Sequence, residues 1–299
     1  MPARAAARLP ATLALVGATA VWGSTFLVTK VSLPGTTPAM FLTWRFGLAA
    51  AVLVLVRPGL VRAVRPTDRR RALVLGLALG AGFLLQTLGL VTTPAGLSGF
   101  LTGTAVVLTP VVAAACFGEV VGRQGWAAVG TAVAGLALLG FRGGGVTAGA
   151  VLVVAGAGCF AVHIAGLSRW ATAGNAYGIT AWSVGVAATV CATVAAFRGD
   201  PAVLPTLPTL GAVLYLALAA TCLGFVVQAW AQAALSATSA AVIMTSEPVF
   251  AAAVAVAIGG EILGGAAWAG GGLLVAAMFL AELGPRHCCD ALSPRVECC

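Results

Sequence analysis

The sequence predicts an all-α polytopic membrane protein of ten transmembrane helices, arranged as two inverted-topology five-helix repeats. Three observations carry that expectation: composition, the spacing of helix breakers, and a set of residues that recurs in the second half. Of 299 residues, 61 % are hydrophobic and 8 % charged, and the mean hydropathy is +1.06. A soluble domain carries about a quarter charged residues, so charge is too sparse here to coat a water-facing surface. A membrane helix needs about 20 mostly apolar residues, and the chain holds about ten such stretches.

Breakers bound each span. The first reads as 11–31, behind Arg4 and Arg8. Ala18-Thr19-Ala20 offers a small-residue cleavage site, but the apolar run continues past it for a full span, which favours an uncleaved helix. Pro34 to Pro38 separates it from 39–56, which Arg57-Pro58 closes. The third span, 72–91, stops before Pro94-Ala95-Gly96, and the fourth is 96–117. The fifth, 125–141, runs up to Gly143 to Gly145, and 147–167 follows. The seventh, 178–197, precedes a proline-rich connection at 201–208, and the last three read as 210–231, 236–258 and 265–283. Gly76 with Gly80 and Gly99 with Gly103 have the spacing that lets helix backbones approach closely, a spacing that an Ala- and Gly-rich chain also produces by chance.

The net charge of +8 does not point to nucleic acid. Arg57, Arg62, Arg65, Arg69, Arg70 and Arg71 share one connection between apolar runs, which is a topology signal. With the N-terminus cytoplasmic, twelve basic residues fall on the cytoplasmic side and three outside, so both termini are expected in the cytoplasm. Fifteen Arg against one Lys, with abundant Ala and Gly, reads as high-GC bacterial codon usage, hence a bacterial inner membrane. Cys116, Cys159, Cys191 and Cys222 fall singly in apolar runs, where Cys behaves as a small hydrophobe. Residues 284–299, with Cys288-Cys289 and Cys298-Cys299, read as a disordered cytoplasmic tail. Adjacent cysteines fit poorly to tetrahedral ligand spacing, so no metal is expected.

The repeat appears as matched residues. An offset of 138 pairs Trp44 with Trp182, Gly47 with Gly185 and Pro110-Val111 with Pro248-Val249. An offset of 142 pairs Gly82-Phe83 with Gly224-Phe225, Gln86 with Gln228, Gly118-Glu119 with Gly260-Glu261 and Trp126 with Trp268. Two homologous units, 11–141 and 147–283, follow. Five spans is an odd number, so the second unit enters the membrane from the opposite side, the inverted repeat of secondary transporters. From proline to glutamate is 9 residues in the first half and 13 in the second, so the fourth helix is expected to end about one turn early, roughly 6 Å.

The opening Trp22-Gly23-Ser24, the Thr43-Trp44-Arg45 of the second span and the repeated proline-to-Gly-Glu ends resemble the EamA family of the drug/metabolite transporter superfamily. The likeness covers about residues 11–283. It implies a ten-helix basket with a central cavity, exporting or exchanging small metabolites such as amino acids, or foreign compounds.

Inside such a chain the polar residues are the candidates for function. Arg45 lies about six residues into the second span and could face the cavity, holding a carboxylate in two parallel hydrogen bonds, or serve as a structural pair or interface anchor. Glu247, just before Pro248, falls near the middle of the ninth span and must be protonated, paired or facing a cavity. Proton coupling, an ammonium contact and a pair with Arg45 are its three readings. Pro248 and its mate Pro110 each free a carbonyl four residues earlier, a polar group for a pathway. Gln86 and Gln228 suit substrate contacts and interhelical hydrogen bonds equally. Trp22 and Trp44 can line a cavity or simply pack. His163 is a candidate for titration during transport, or a structural group near an interface. Lys30 is expected to snorkel outwards, and Glu119 and Glu261 need no special role.

No carboxylate-histidine-nucleophile spacing, phosphate loop or metal cluster is legible, so an enzyme is not expected, nor a cofactor or ATP drive. The expected partners are the lipid bilayer, a small-molecule substrate and protons as a candidate coupling ion. The leading reading is a secondary transporter working by alternating access. The alternatives are a facilitator without ion coupling and a membrane assembly or binding protein.

Overall fold

The computed structural model describes the chain apart from residues 1, 119–120, 143–146, 173, 203, 235–242 and 284–299. The tail thus lies outside the described residues, as does Glu119. The helices are α1 (Pro2–Ser32), α2 (Pro38–Val56), α3 (Pro58–Arg62), α4 (Pro66–Thr92), α5 (Ala95–Phe117), α6 (Arg123–Arg142) and α7 (Ala148–Trp170). After α8 (Ala176–Phe197) come α9 (Leu207–Tyr215), a π-helical stretch Leu216–Leu223, and α10 (Gly224–Ala234). The last two are α11 (Glu247–Ala257) and α12 (Gly265–Leu283). No strand occurs among the described residues. Seven stretches are long and apolar enough to cross a membrane, namely Leu9–Ser32, α2, α4, α5, Ala148–Leu167, α8 and Leu207–Gln228. The chain is a multi-pass membrane protein.

The termini have local causes. Pro38, Pro58 and Pro66 stand in the first turns of α2, α3 and α4, where a missing N–H costs nothing. Thr37 caps α2 by accepting the Met40 N–H at 3.2 Å, and Thr147 caps α7 by accepting that of Ala150 at 3.1 Å. Gly118 (φ 70°) closes α5 and Gly260 (φ 65°) follows α11, both in the left-handed region that favours glycine.

Four expectations need correction. The connection expected between 56 and 72 is largely helical, because Pro58 and Pro66 each open a helix. Arg69 fixes it by donating to the carbonyls of Val64 and Arg62, and Arg71 pairs with Asp68 at 2.9 Å. The span expected at 210–231 is not one α-helix, since it loosens to a π-helix at Leu216–Leu223. The ninth span is interrupted: Thr245–Ser246 form a turn, Ser246 donating both its N–H (3.0 Å) and its hydroxyl (2.6 Å) to the Ile243 carbonyl. Glu247 therefore starts a helix instead of sitting inside one. The equivalent Pro110 stays within a continuous α5, where the hydroxyl of Thr109 donates to the Ala105 carbonyl at 2.8 Å. Finally, the missing turn of the fourth helix is only half helical. After the proline α11 is two residues longer than α5, and two further residues, Ile258 and Gly259, form a turn before Gly260.

Large apolar side chains stand on the outside, and polar ones are buried within an otherwise apolar interior. Ile262, Phe197 and Leu207 are among the most exposed residues, whereas Thr19, Arg45, Gln86, Ser98, Ser183 and Thr221 are buried. Small residues make the seams. A Cβ on Gly156 would lie 2.8 Å from the Gly82 carbonyl, and one on Gly149 2.8 Å from that of Gly89, so α4 and α7 meet backbone to backbone. Gly76 and Gly80 abut α8 at Val186 and Ala187, while Gly99 and Gly103 abut α11 at Ala251 and Pro248. The glycine spacings of the sequence are thus helix contacts.

Residues one offset apart make matching contacts. Trp22 of α1 packs on Gly224, and Phe160 of α7, 138 residues later, packs on Gly82, which is 142 residues before Gly224. The rings agree: Trp22 lies 6.1 Å from Phe225, and Phe160 lies 4.9 Å from Phe83. A Cβ at either glycine would come within 2.6 Å of its aromatic partner. Gly82→Ala and Gly224→Ala are therefore expected to lower the thermal midpoint in detergent despite alanine's better helix propensity. Gly47→Ala, which meets open space, is expected not to lower it; equal effects in all three would refute the packing argument.

Candidate functional site

The polar groups converge on the π-helical stretch. A π turn opens the i→i−4 ladder and frees carbonyls, and such turns occur frequently at functional sites. Here the hydroxyl of Thr221 donates to the Leu216 carbonyl at 2.9 Å, and the indole N–H of Trp22 donates to the Ala220 carbonyl at 2.8 Å. Arg45, 4 % exposed, donates through Nε to Thr221 Oγ1 at 3.3 Å. Its guanidinium carbon lies 4.7 Å from the centroid of the Phe83 ring and 5.2 Å from that of Phe46. Arg45 and Trp22, expected to share a cavity, thus meet one short stretch of α9–α10 from two helices.

A charge near the bilayer centre costs about 2.5–3.5 kcal/mol on insertion scales. Cation–π contact returns about 0.5–2 kcal/mol per favourable ring. The rings of Phe46 and Phe83 can therefore offset much of the cost of Arg45 without an acid. None of the described ion pairs involves Arg45: they join Arg71 to Asp68 and Arg198 to Asp200. The pair of Arg45 with Glu247, one of the three readings of that acid, is absent among the described residues.

Glu247 stands in the first turn of α11, one residue after Ser246, whose hydroxyl lies 3.0 Å from that of Thr19 on α1. Thr19 and Trp22 share a face of α1, three residues apart. Through that helix the Glu247 end and the π stretch belong to one interior zone. Gln86 donates to Thr102 Oγ1 at 2.9 Å and ties α4 to α5, and Gln228, at the equivalent position, donates to Met244 Sδ at 3.8 Å and ties α10 to the segment just before α11. The indole nitrogen of Trp44 is buried without a hydrogen-bond partner among the described residues. His163 is not part of this zone. Its Nδ1 lies 3.0 Å from the Leu75 carbonyl, pinning α7 to α4, with the ring nitrogen as donor.

A second cluster lies where α1, α4, α5 and α11 end together. The ammonium of Lys30 donates to the Thr93 carbonyl. The carboxylate of Glu261 accepts the N–H groups of Ala95 at 2.6 Å and Gly96 at 3.0 Å. Thr93 closes α4 and Ala95 opens α5, so a cation meets a helix C-terminus and an anion a helix N-terminus, each the favourable sign. The expectation that Glu261 needs no special role is corrected here, and Lys30 has a defined acceptor at the helix end it reaches. Nearby, Thr37 donates to Asp200 Oδ2 at 2.7 Å. A cleft of about 290 Å³ lined by Gly35, Thr36, Thr37 and Pro201 opens at these helix ends, roughly 12 Å along α2 from Arg45.

Sequence reasoning missed Thr221, Phe46 and the π stretch, and marked Phe83 only as a position of the repeat. A lone threonine or phenylalanine in an apolar run carries no motif, and nothing in Leu216–Leu223 breaks α-helical preference.

Comparison with known proteins places this geometry. Residues 9–141 and 147–283 match the EamA-like transporter family. The chain belongs to the EamA-like transporter family. An uncharacterized transporter of Archaeoglobus fulgidus is 30 % identical to this EamA-like chain over 277 residues, covering 92 % of it and 87 % of the relative. A crystal structure of a protein superposes with a TM-score of 0.60 at 22 % identity, covering 92 % of this chain and 97 % of that one, and supports the fold alone. Family membership implies a membrane transporter, not an enzyme.

The two Glu261 bonds make a measurable prediction. Loss of a helix N-cap costs about 0.5–2 kcal/mol. Glu261→Ala is expected to lower the thermal midpoint of the purified protein, and Glu261→Gln, which keeps one acceptor oxygen, to lower it less. An unchanged midpoint in Glu261→Ala would contradict the capping role.

Proposed function

We propose that this EamA-like protein is a secondary transporter of a small metabolite, an amino acid or an amphipathic compound, exported across a bacterial inner membrane by alternating access. Its ten spans form two inverted five-helix halves, 11–141 and 147–283, with both termini in the cytoplasm. The observation that carries this reading is the polar zone of buried Arg45, Trp22 and the Trp44 indole nitrogen, with half-buried Glu247 at its edge and buried Gln86 and Gln228 at equivalent positions beside it, inside a chain whose outer surface is apolar. Polar groups buried at membrane depth are expensive and mark pathways for substrates and ions.

Matched contacts of Trp22 with Gly224 and Phe160 with Gly82 support the two-half architecture. In an inverted pair, the same contact made by α1 near one membrane face is made by α7 near the other, so one rocking motion opens one side and closes the other. The Lys30 and Glu261 ties then lie on the outer side, and the Arg69 and Arg71 contacts of the α3–α4 region on the cytoplasmic side. Glu247 begins a helix after a turn, so its carboxylate sits where the backbone is interrupted, as coupling groups of transporters do. It is assigned the proton or substrate-ammonium role, with Pro248 holding the break; Pro110 supplies the corresponding bend in α5.

Substrate export from vesicles tests the assignment. Glu247→Gln is expected to slow export about tenfold, the factor given by 1.4 kcal/mol of lost interaction, at unchanged protein level. Wild-type rates at every pH tested would sink the role of Glu247. Purified protein that moves no amino acid or amphipathic compound down its gradient would favour a membrane assembly protein. An imposed pH gradient that fails to concentrate substrate would favour a facilitator.

A further inference from the structure

Arg45 carries an open half. Its Nε is held by Thr221, and the Thr221 hydroxyl is itself spent on the Leu216 carbonyl, so the orientation of the guanidinium is fixed. No described hydrogen bond uses Nη1 or Nη2, although the residue is 4 % exposed. Of the described carboxylates, Asp68 is committed to Arg71 and Asn175, Asp200 to Thr37, and Glu261 to Ala95 and Gly96, while Glu247 makes no described bond to Arg45. Position 183, one offset of 138 from Arg45, is a serine whose hydroxyl donates to the Ala72 carbonyl at 3.2 Å. The cation is therefore present on one side of the bundle only.

We infer that Arg45 anchors the carboxylate of the transported compound, and that this compound is a small organic anion with an aromatic or flat apolar body. The inference rests on the transporter reading above and narrows its substrate class. A guanidinium presents parallel N–H groups that match the two oxygens of a carboxylate, and Arg45 has its Nη edge free to do so. The walls suit an apolar body. Phe46 and Phe83 flank the guanidinium, and Phe83 stands edge-on to Phe46 and to Phe160, each at 4.9 Å between centroids, so the apolar surface beside the charge extends from α2 through α4 to α7. An amine of the same shape meets a like charge there, and a neutral amide cannot form the charge-assisted pair.

The test uses the full-length protein and three probes of equal body: phenylacetate, phenylacetamide and phenethylamine. Binding is read as a shift of thermal midpoint in detergent, and transport as counterflow in phosphatidylcholine vesicles against protein-free controls. Phenylacetate is expected to stabilise the wild type and to be carried, and the amide and amine are not. Arg45→Gln is expected to weaken the phenylacetate effect about 10- to 100-fold, and Arg45→Lys, which keeps the charge and loses the fork, about tenfold. If Arg45→Gln does not elute as a monodisperse species, Arg45→Lys and Phe83→Leu carry the test, and unchanged phenylacetate affinity in both overturns the inference. Phenylacetate binding by Arg45→Gln as by wild type, no phenylacetate binding by wild type, or a preference for phenethylamine also overturns it, and leaves the transporter reading standing if other solutes are carried. Stabilisation by phosphatidylglycerol in place of phenylacetate overturns it in favour of a lipid headgroup. Vesicles that carry no solute of any charge overturn the transporter reading as well.

Discussion

No water in the hydrocarbon core can satisfy a polar group, so each one placed there must find its partner within the protein. That constraint organises this molecule. Hydroxyls turn back onto their own helices, as Ser24 does to Val21, Thr104 to Leu101 and Thr109 to Ala105. Groups that cannot do so sit between helices. Trp22 reaches the Ala220 carbonyl, Arg45 reaches Thr221, and Gln86 reaches Thr102. The interior zone is a product of this sorting, because the seams where such groups meet are the places lipid cannot enter.

Small residues make those seams close enough to work. Without a hydrophobic force between helices in lipid, association relies on packing and interhelical hydrogen bonds. Gly82 and Gly89 against Gly156 and Gly149 bring α4 and α7 to backbone contact, and Gly224 admits the Trp22 indole to the carbonyl it caps. Such smooth seams suit the sliding that the proposed rocking requires. The tie of Glu261 to the α5 N-terminus is polar, so under the proposed mechanism water can take its place.

Much of this was legible in the sequence. Hydropathy and breakers located the seven stretches that are long and apolar enough to cross a membrane, because such a helix must be long, apolar and interrupted where it ends. The family resemblance rested on the same proline, glycine and tryptophan positions. Arg45, Glu247 and Trp22 stood out as polar groups in apolar surroundings. The partners did not, since a charge satisfied by the rings of Phe46 and Phe83 leaves no complementary charge to read. Glu261 looked idle for a related reason: its partners are backbone N–H groups, which every residue carries. The break before Glu247 was hidden because Thr245 and Ser246 are compatible with helix until a hydroxyl takes the carbonyl, and the loosening at Leu216–Leu223 has no composition of its own.

Alternating access requires that the interior beside Glu247 open to both sides of the membrane in turn. Thiol accessibility at Ser246 tests it most directly. In a background lacking the native cysteines, Ser246→Cys is predicted to react with a membrane-impermeant methanethiosulfonate from outside in whole cells and from the cytoplasmic side in inverted vesicles. Val249→Cys, on the exposed apolar face of α11, is predicted to resist from both sides because a thiol in lipid does not ionise. Reaction of Ser246→Cys from one side alone, or from neither, would contradict alternating access.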